Sequence, residues 1–333
     1  KDNFFMDLNY GSFDNRNFGF AGGYNFNKHL YVNYGFSYLN SEDYREHEEK
    51  ENKIYLLGFD YKINAKHRFR FQTRFSDIKQ DSSNQIPVEE LKNDRRKAGL
   101  NMDIDTKDRS YTFDYEYRPT QNVTLSTTLY KQKQERDIET ESIDDIKIIA
   151  SDSSHIWHKE EINFYDIKSK MHANLVGDNP SETIVGYDYQ SATNKRNSLV
   201  QSETLKSYYD SALGGYATLG IGDRLPITNK IDMKMTKKSE GFYIFNKWGL
   251  TNWLDLTTGG RVERTKYNGY RENGPNVMPY VSPEKKRIET DEKLTNYAGE
   301  LGLLFKYNDT GRFYTRYERG FVTPFGNQLT DKI

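Results

Sequence analysis

The chain has 333 residues and a mass of 39.1 kDa, with 48 Lys plus Arg against 49 Asp plus Glu for a formal net charge of −1. That balance, without a basic stripe carrying interleaved aromatics, argues against a nucleic-acid partner; six His and no Cys leave no disulfides or thiolate chemistry and few acid-base constellations, so neither an enzyme nor a cofactor nor a metal is expected. Mean hydropathy is −0.93, and no apolar run approaches the roughly 20 residues of a spanning helix, the richest being Ile54 to Phe59, which excludes helical insertion and leaves strand insertion open.

Taken from the N-terminus, Phe4 to Tyr10 reads as a first strand. From Leu30 the set Leu30, Val32, Tyr34, Phe36, Tyr38 takes one face and Tyr31, Asn33, Gly35, Ser37 the other, the period of two that marks a strand. From His67, Phe69, Phe71, Thr73 and Phe75 oppose Arg68, Arg70, Gln72 and Arg74. Tyr111, Phe113, Tyr115 and Tyr117 oppose Thr112, Asp114, Glu116 and Arg118, and Val123, Leu125, Thr127 and Leu129 oppose Thr124, Ser126, Thr128 and Tyr130. Near the end Leu254, Leu256, Thr258, Gly260 and Val262 oppose Asp255, Thr257, Gly259, Arg261 and Glu263. About thirteen strands are legible in this way.

The connections alternate. Short links fall at Asn27 to His29, Asn64 to Lys66, Pro119 to Asn122, Gly177 to Ser181, Leu250 to Asn252 and Asn308 to Gly311. Long polar segments fall between them, at Asn40 to Asn52, Ile78 to Asp108, Lys133 to Glu160, Thr193 to Ser239 and Gly269 to Lys293, and are expected to be loops. If consecutive strands pair antiparallel, all short links share one rim of the sheet and all long segments the other, as in outer-membrane barrels.

A half-polar sheet also suits a soluble protein, with its polar face in water. Two features favour lipid on the apolar face. Tyr is abundant, at 26 residues with 19 Phe and 3 Trp, and recurs near segment ends at Tyr10, Tyr38, Tyr61, Tyr117 and Tyr307, where the aromatic girdle of a barrel would lie. Most strands also reach the about 9 to 11 residues of a tilted spanning strand rather than the usual about 5 to 6.

Motifs for chemistry are sparse. Gly214-Gly215 and Gly220-Ile221-Gly222-Asp223 lack dinucleotide-binding spacing and are read as loop turns. Asp103, Asp105 and Asp108 have calcium-like spacing without the glycine and terminal glutamate of an EF-hand, so no metal site is assigned. His155 and His158, bracketing Ile156 and Trp157 in an expected external loop, would reach haem or a metal chelate there, though solvated loop histidines are the commoner outcome. The charge runs Glu46 to Glu51 and Asn93 to Lys97 are read as solvated loop surface.

Several segments resemble one family. Phe313 to Leu329 resembles the Y-x-R-Y-x-x-G-F-x-x-P-x-x-x-x-L strand and loop entry of TonB-dependent outer-membrane receptors. Gly241-Phe242-Tyr243 through Gly259-Gly260-Arg261-Val262-Glu263 is similar to that family's hairpin ending in L-x-x-G-x-R-x-E. Gly11-Ser12-Phe13 and Asp43-Tyr44-Arg45 are similar to its first barrel strands, and the four matches stand in family order.

The resemblance implies a barrel of about 22 strands, plugged by an N-terminal globular domain, that imports scarce ligands with energy relayed by TonB. The expected fold is therefore all-β, an antiparallel up-and-down transmembrane β-barrel wall, incomplete at about thirteen strands, with residues 1–333 forming part of a single barrel domain in the outer membrane. Lys1-Asp2-Asn3 runs straight into the first strand and Gly326 to Leu329 enters another long segment before Ile333, so plug, TonB box and closing strands are expected to lie outside the 333 residues. Implied partners are the TonB energy-transducing complex acting through the plug, outer-membrane lipid, and an extracellular small ligand such as an iron chelate, haem, cobalamin or a glycan.

For ligand capture the candidates are Tyr44, Arg45, His155, Trp157, His158, Tyr208, Tyr209 and Arg271, because aromatic and cationic loop side chains stack on and pair with planar or anionic chelates. For the inner face and its plug contact they are Arg68, Arg70, Arg74, Asp114, Glu116, Arg261, Glu263, Glu300, Arg316 and Glu318. Two other readings stay open: a passive porin or adhesin-like barrel, and a secreted soluble β protein binding carbohydrate, whose apolar faces would meet across a sandwich core.

Overall fold

The computed structural model describes residues 2–83, 88–97, 101–144, 152–175, 181–210, 215–274, 286–308 and 310–323. The strands are β1 (Asn3–Gly11), β2 (Asn15–Asn25), β3 (Leu30–Glu42), β4 (Glu49–Lys62), β5 (His67–Ser83), β6 (Asn101–Thr120), β7 (Val123–Asp144), β8 (Asp152–Leu175), β9 (Ser181–Asp210), β10 (Gly215–Thr251), β11 (Leu254–Asn273), β12 (Lys286–Lys306) and β13 (Arg312–Arg319). One short helix, α1 (Val88–Asn93), which the sequence pattern did not announce, stands between β5 and β6. All strands join one 13-stranded sheet whose spatial order is the chain order, each pairing antiparallel with the next. This is the expected all-β, up-and-down wall.

The short-link rim has its own turn chemistry. Asn27 Oδ1 accepts from the backbone N–H groups of His29 (2.8 Å) and Leu30 (2.9 Å), and Asn64 Oδ1 from Lys66 (2.8 Å) and His67 (3.0 Å). Asn308 does the same for Thr310 (3.0 Å) and for Gly311. An Asn side chain that closes a turn onto its own backbone reverses the chain tightly.

The opposite rim corrects the sequence expectation. Large parts of the long polar segments are strand, not loop: β9 and β10 continue to pair as far as Asp210 with Gly215, and β7 and β8 as far as Asp144 with Asp152. Glu49 to Glu51, expected in a loop, lie in β4, and Gly220 to Asp223 lie inside β10 at register shifts rather than in a turn. Gly215 opens β10, while Gly214 lies outside the described residues. The ladder persists because backbone hydrogen bonds need no apolar face, so these ribbons stay paired with both faces polar.

The two faces differ as the alternation predicts. Among the described residues all buried side chains except Asn246 lie on the charged face, including Ser76, Asp108, Asp166, Asp188, Ser198, Met233, Met235, Glu263 and Thr265. In a single layer such crowding marks the side toward which the sheet curls, here called inward. The outward face leaves large apolar side chains uncovered, among them Phe4 and Leu8 (65% each), Phe242 (52%), Leu301 (51%) and Tyr317 (74%). Each strand packs on its chain neighbours, and among the described residues no second sheet covers this surface. The sandwich core required by the soluble reading is therefore absent, and a continuous apolar stripe of this extent marks contact with lipid or another apolar partner. Among the described residues no helix is long and apolar enough to cross a membrane, which does not bear on crossing by strands.

Candidate functional site

The inward face carries a ladder of ion pairs. The period of two brings Arg68, Arg70, Arg74, Asp114, Glu116, Arg261, Glu263, Glu300, Arg316 and Glu318 to this one face. Arg68 Nε donates to Asp60 at 2.8 Å, with a second, closer contact from its Nη2. Arg70 lies 3.8 Å from Asp114, which also accepts from Thr128 Oγ1 at 2.6 Å. Glu116 pairs with Arg118 at 2.8 Å, and Arg316 bridges Glu300 and Glu318, the latter at 2.6 Å.

Arg261 makes the best enclosed of these contacts. Its Nη1 and Nη2 reach the two carboxylate oxygens of Asp188 on β9 at 2.7 and 3.0 Å, while Nη2 also binds Glu263 at 2.6 Å. The guanidinium crosses β10 at Gly241, where a Cβ would run into both Arg261 and Asp188, and it lies 5.8 Å from the Tyr243 ring centre. Side-chain exposures of 29% for Arg261, 12% for Asp188 and 11% for Glu263 set this triad apart from the exposed pairs, whose net worth is about 0–1 kcal/mol each.

Beside it lies a small core with no counterpart in the sequence reading. Tyr267 is fully buried, with Met233, Met235, Thr265 and Ser239 around it on β10 and β11. Past β13 the chain turns back over this patch, where Lys237 Nζ donates to Thr323 Oγ1 at 2.6 Å and lies 5.9 Å from the Tyr267 ring centre. Burial pulls the Lys237 ammonium below its usual range. Met at positions of inward parity on an otherwise polar ribbon was the available signal.

The candidate capture residues are not gathered into one constellation. Tyr44 and Arg45 stand in the link between β3 and β4, with Tyr44 edge-on to Phe13 at 5.9 Å; Glu46 donates its N–H to the Arg96 carbonyl at 2.9 Å, tying this link to the segment after α1. His155, Trp157 and His158 are in β8 and Tyr208 and Tyr209 in β9, not in loops. The side chains of His155, Trp157, Tyr208 and Tyr209 lie outside those described. Arg271 is on β11, its Nε donating to Asn273 Oδ1 at 3.2 Å.

His158 is held as a neutral acceptor. Arg196 Nε–H donates to its Nδ1 at 3.1 Å and Ser198 Oγ lies 2.7 Å from the same nitrogen, which places the ring proton on Nε2. Burial, and then the Arg196 charge, push its pKa below the usual histidine range.

The extensions also carry an acidic cleft of about 610 Å³, with Glu49, Glu51, Asp81, Asp103, Asp105 and Asp137 among its walls. Burial, then the charges of Asp103, Glu49 and Asp105, raises the Asp81 pKa. Asp108 projects to the opposite face from Asp103 and Asp105, so the calcium-like spacing does not converge. Among the described residues no group of His, Asp or Glu is arranged to hold a metal ion.

Comparison with known proteins adds to this geometry. The family model described as TonB dependent receptor-like, beta-barrel, matches residues 2–332. No curated protein matches the chain. Among solved structures, the ferric yersiniabactin uptake receptor FyuA from Yersinia pestis is similar with a TM-score of 0.73 at 13% identity, over 95% of this chain and 46% of that one. The ferric-catecholate import receptor Fiu from E. coli K12 in its open form gives 0.70 at 10% identity, over 96% and 54%. The siderophore receptor PiuA from Acinetobacter baumannii gives 0.69 at 12% identity, over 96% and 49%. At such identities the likeness is one of fold, and the chain spans about half the length of these structures.

Proposed function

Because the chain belongs to the TonB-dependent receptor β-barrel family, we propose that residues 1–333 form part of the barrel domain of an outer-membrane receptor that imports an iron chelate. The observation that carries this reading is the single uncovered sheet: an apolar outward stripe for lipid, a charged inward face, a rim of tight Asn turns and a rim of long ribbons. In a bilayer every strand of such a wall finds its backbone partners in its neighbours.

In the whole protein the ribbons of β7 to β10 stand outside the cell and capture the ligand, with Tyr44, Arg45, His158 and Arg271 among the side chains that meet it. The inward ion pairs face a plug domain. The unequal enclosure of those pairs suits a surface that a plug both docks on and leaves: the Arg261 triad fixes the wall, while exposed pairs such as Arg70 with Asp114 exchange partners at little cost. Energy coupling through TonB is a family property that no residue described above performs. An iron chelate is preferred over haem, cobalamin or a glycan because Fiu and FyuA, which share this fold, are receptors for a ferric catecholate and for ferric yersiniabactin.

The test is uptake by cells carrying or lacking the full-length gene, using radiolabelled ferric chelates, haem and cobalamin, each with TonB present or deleted. Uptake of a ferric chelate that requires both gene and TonB is the expected result. Uptake independent of TonB overturns it in favour of a passive porin.

A further inference from the structure

Lys237 differs from Arg68, Arg261 and Arg316 on the same inward face: among the described residues no carboxylate pairs with it. It stands on β10 directly opposite Ala192 on β9 and Tyr267 on β11, and its same-face neighbours along the strand are Met235 and Ser239. None of these carries a charge. Glu263, whose charge reaches the ammonium, is already held by Arg261 at 2.6 Å and by Thr265 Oγ1 at 3.2 Å. Glu292, next in the row beyond Tyr267, is two strands away on β12, about 10 Å at ordinary strand spacing.

In place of a carboxylate the ammonium has a hydroxyl. Lys237 Nζ donates to Thr323 Oγ1 at 2.6 Å, and the fully buried Tyr267 is hydrogen-bonded to the same Thr323 side chain. Thr323 reaches β10 because residues 320–323 leave β13 and cross the inward face of β12 and β11 as a strap. The strap is lightly seated. A Cβ added at Gly320 would meet nothing within 4 Å, Val322 is 91% exposed, and among the described residues no backbone hydrogen bond joins 320–323 to the strands. Only Phe321 and Thr323 are half-buried. A hydroxyl satisfies the geometry of an ammonium without cancelling its charge, and an anionic oxygen is the stronger acceptor for it. The contact with Thr323 is therefore one that an arriving anion outcompetes.

We propose that Lys237 is an anion-binding residue of the import path and that residues 320–323 are its displaceable cap. An anionic oxygen of the incoming chelate takes the ammonium from Thr323, and the strap lifts off Tyr267. Lys237 thereby favours anionic over neutral chelates. The assignment rests on the reading of the chain as part of an iron-chelate importer. A carboxylate on the plug offers the same chemistry, and the experiment separates the two sources.

The test uses the full-length protein, purified in mild detergent, with equilibrium binding of ferric citrate and a ferric tricatecholate as anionic probes and a neutral ferric trihydroxamate as control. Lys237→Met is expected to weaken binding of the anionic chelates by about tenfold, the worth of one charged hydrogen bond, and Lys237→Arg to keep most of it. Thr323→Val removes the hydroxyl and keeps the shape; it is expected to tighten the same binding severalfold, because fewer molecules are held in the capped state. A structural role for Thr323 predicts the opposite sign. A nitroxide on Val322→Cys is expected to gain mobility on adding an anionic chelate, or citrate alone, but not the neutral chelate. Weaker binding by Thr323→Val, equal loss of anionic and neutral chelates by Lys237→Met, or preference for the neutral chelate would each overturn the proposal. A label mobile before any anion is added, with chelate affinity unchanged in Lys237→Met, would give Lys237 to the plug and overturn it too. Failure to bind any chelate while citrate still frees the label would overturn the importer reading and leave the cap standing; a label that no anion frees overturns the cap whatever is imported. A heat-modifiable gel band verifies the fold of every variant.

Discussion

Replacing Phe71 by Arg separates the two faces of the wall most sharply. Phe71 is at the middle of the outward set Phe69 to Phe75, flanked across strands by Phe59, with ring centres 6.4 Å apart, and by Phe113. A cation at the bilayer midplane of a barrel costs about 2–4 kcal/mol, and losing the cross-strand aromatic pair adds roughly 0.5–1 kcal/mol. The sum, about 3–5 kcal/mol, lowers the folded-to-unfolded ratio by roughly two to four decades. Gln72→Arg, one residue on and inward beside Thr112 and Gly58, is expected to cost under about 1 kcal/mol. Phe75→Arg, in the row that already holds Arg109, is expected to fall near the lower figure, since the cost fades toward the interface. The assay is urea refolding of the full-length protein into lipid vesicles, followed by the heat-modifiable gel shift. A costly Gln72→Arg with a mild Phe71→Arg would show the faces exchanged, and two mild variants would place the sheet in water.

The remaining predictions probe topology, the triad, pH and edges. The chain has no Cys, so Glu46→Cys or Asp94→Cys, on exposed links of the long-ribbon rim, should be labelled by impermeant maleimide on intact cells, while Asn64→Cys and Thr310→Cys should not; equal labelling refutes the sidedness. Arg261→Met leaves Asp188 and Glu263 facing each other unpaired and should cost about 1–3 kcal/mol, with part regained on adding Glu263→Gln; no loss would show the triad to be idle. His158 should titrate below its usual range by NMR. Its neutral form is the one the fold holds, so its contribution to stability is complete above about pH 6.5 and declines as pH falls from there toward the lowered folded pKa, and a normal titration would refute the Arg196 contact. Residues 1–333 expressed alone leave the outer edges of β1 and β13 unpaired and should aggregate; a monomeric, cooperatively folded product without detergent would refute the membrane reading.

The sequence by itself determined the parts of this protein governed by one-sided burial. Wherever one face is apolar and the other polar, as at Phe69 to Phe75 or Val123 to Leu129, alternation holds residue by residue, so strand identity, facing and the tight Asn turns can be read directly. Beyond the stripe polar residues stand on both faces and strict alternation is lost, so the ribbons of β7 to β10 look like loops in the sequence and only the backbone ladder of the tertiary structure reveals them. Convergence was likewise invisible. Asp188 and Arg261 are 73 residues apart and meet only because β10 lies between their strands with a glycine at the crossing, and Lys237 finds Thr323 only once the chain past β13 folds back. Local alternation sets which way a side chain points, and register across strands decides what it meets.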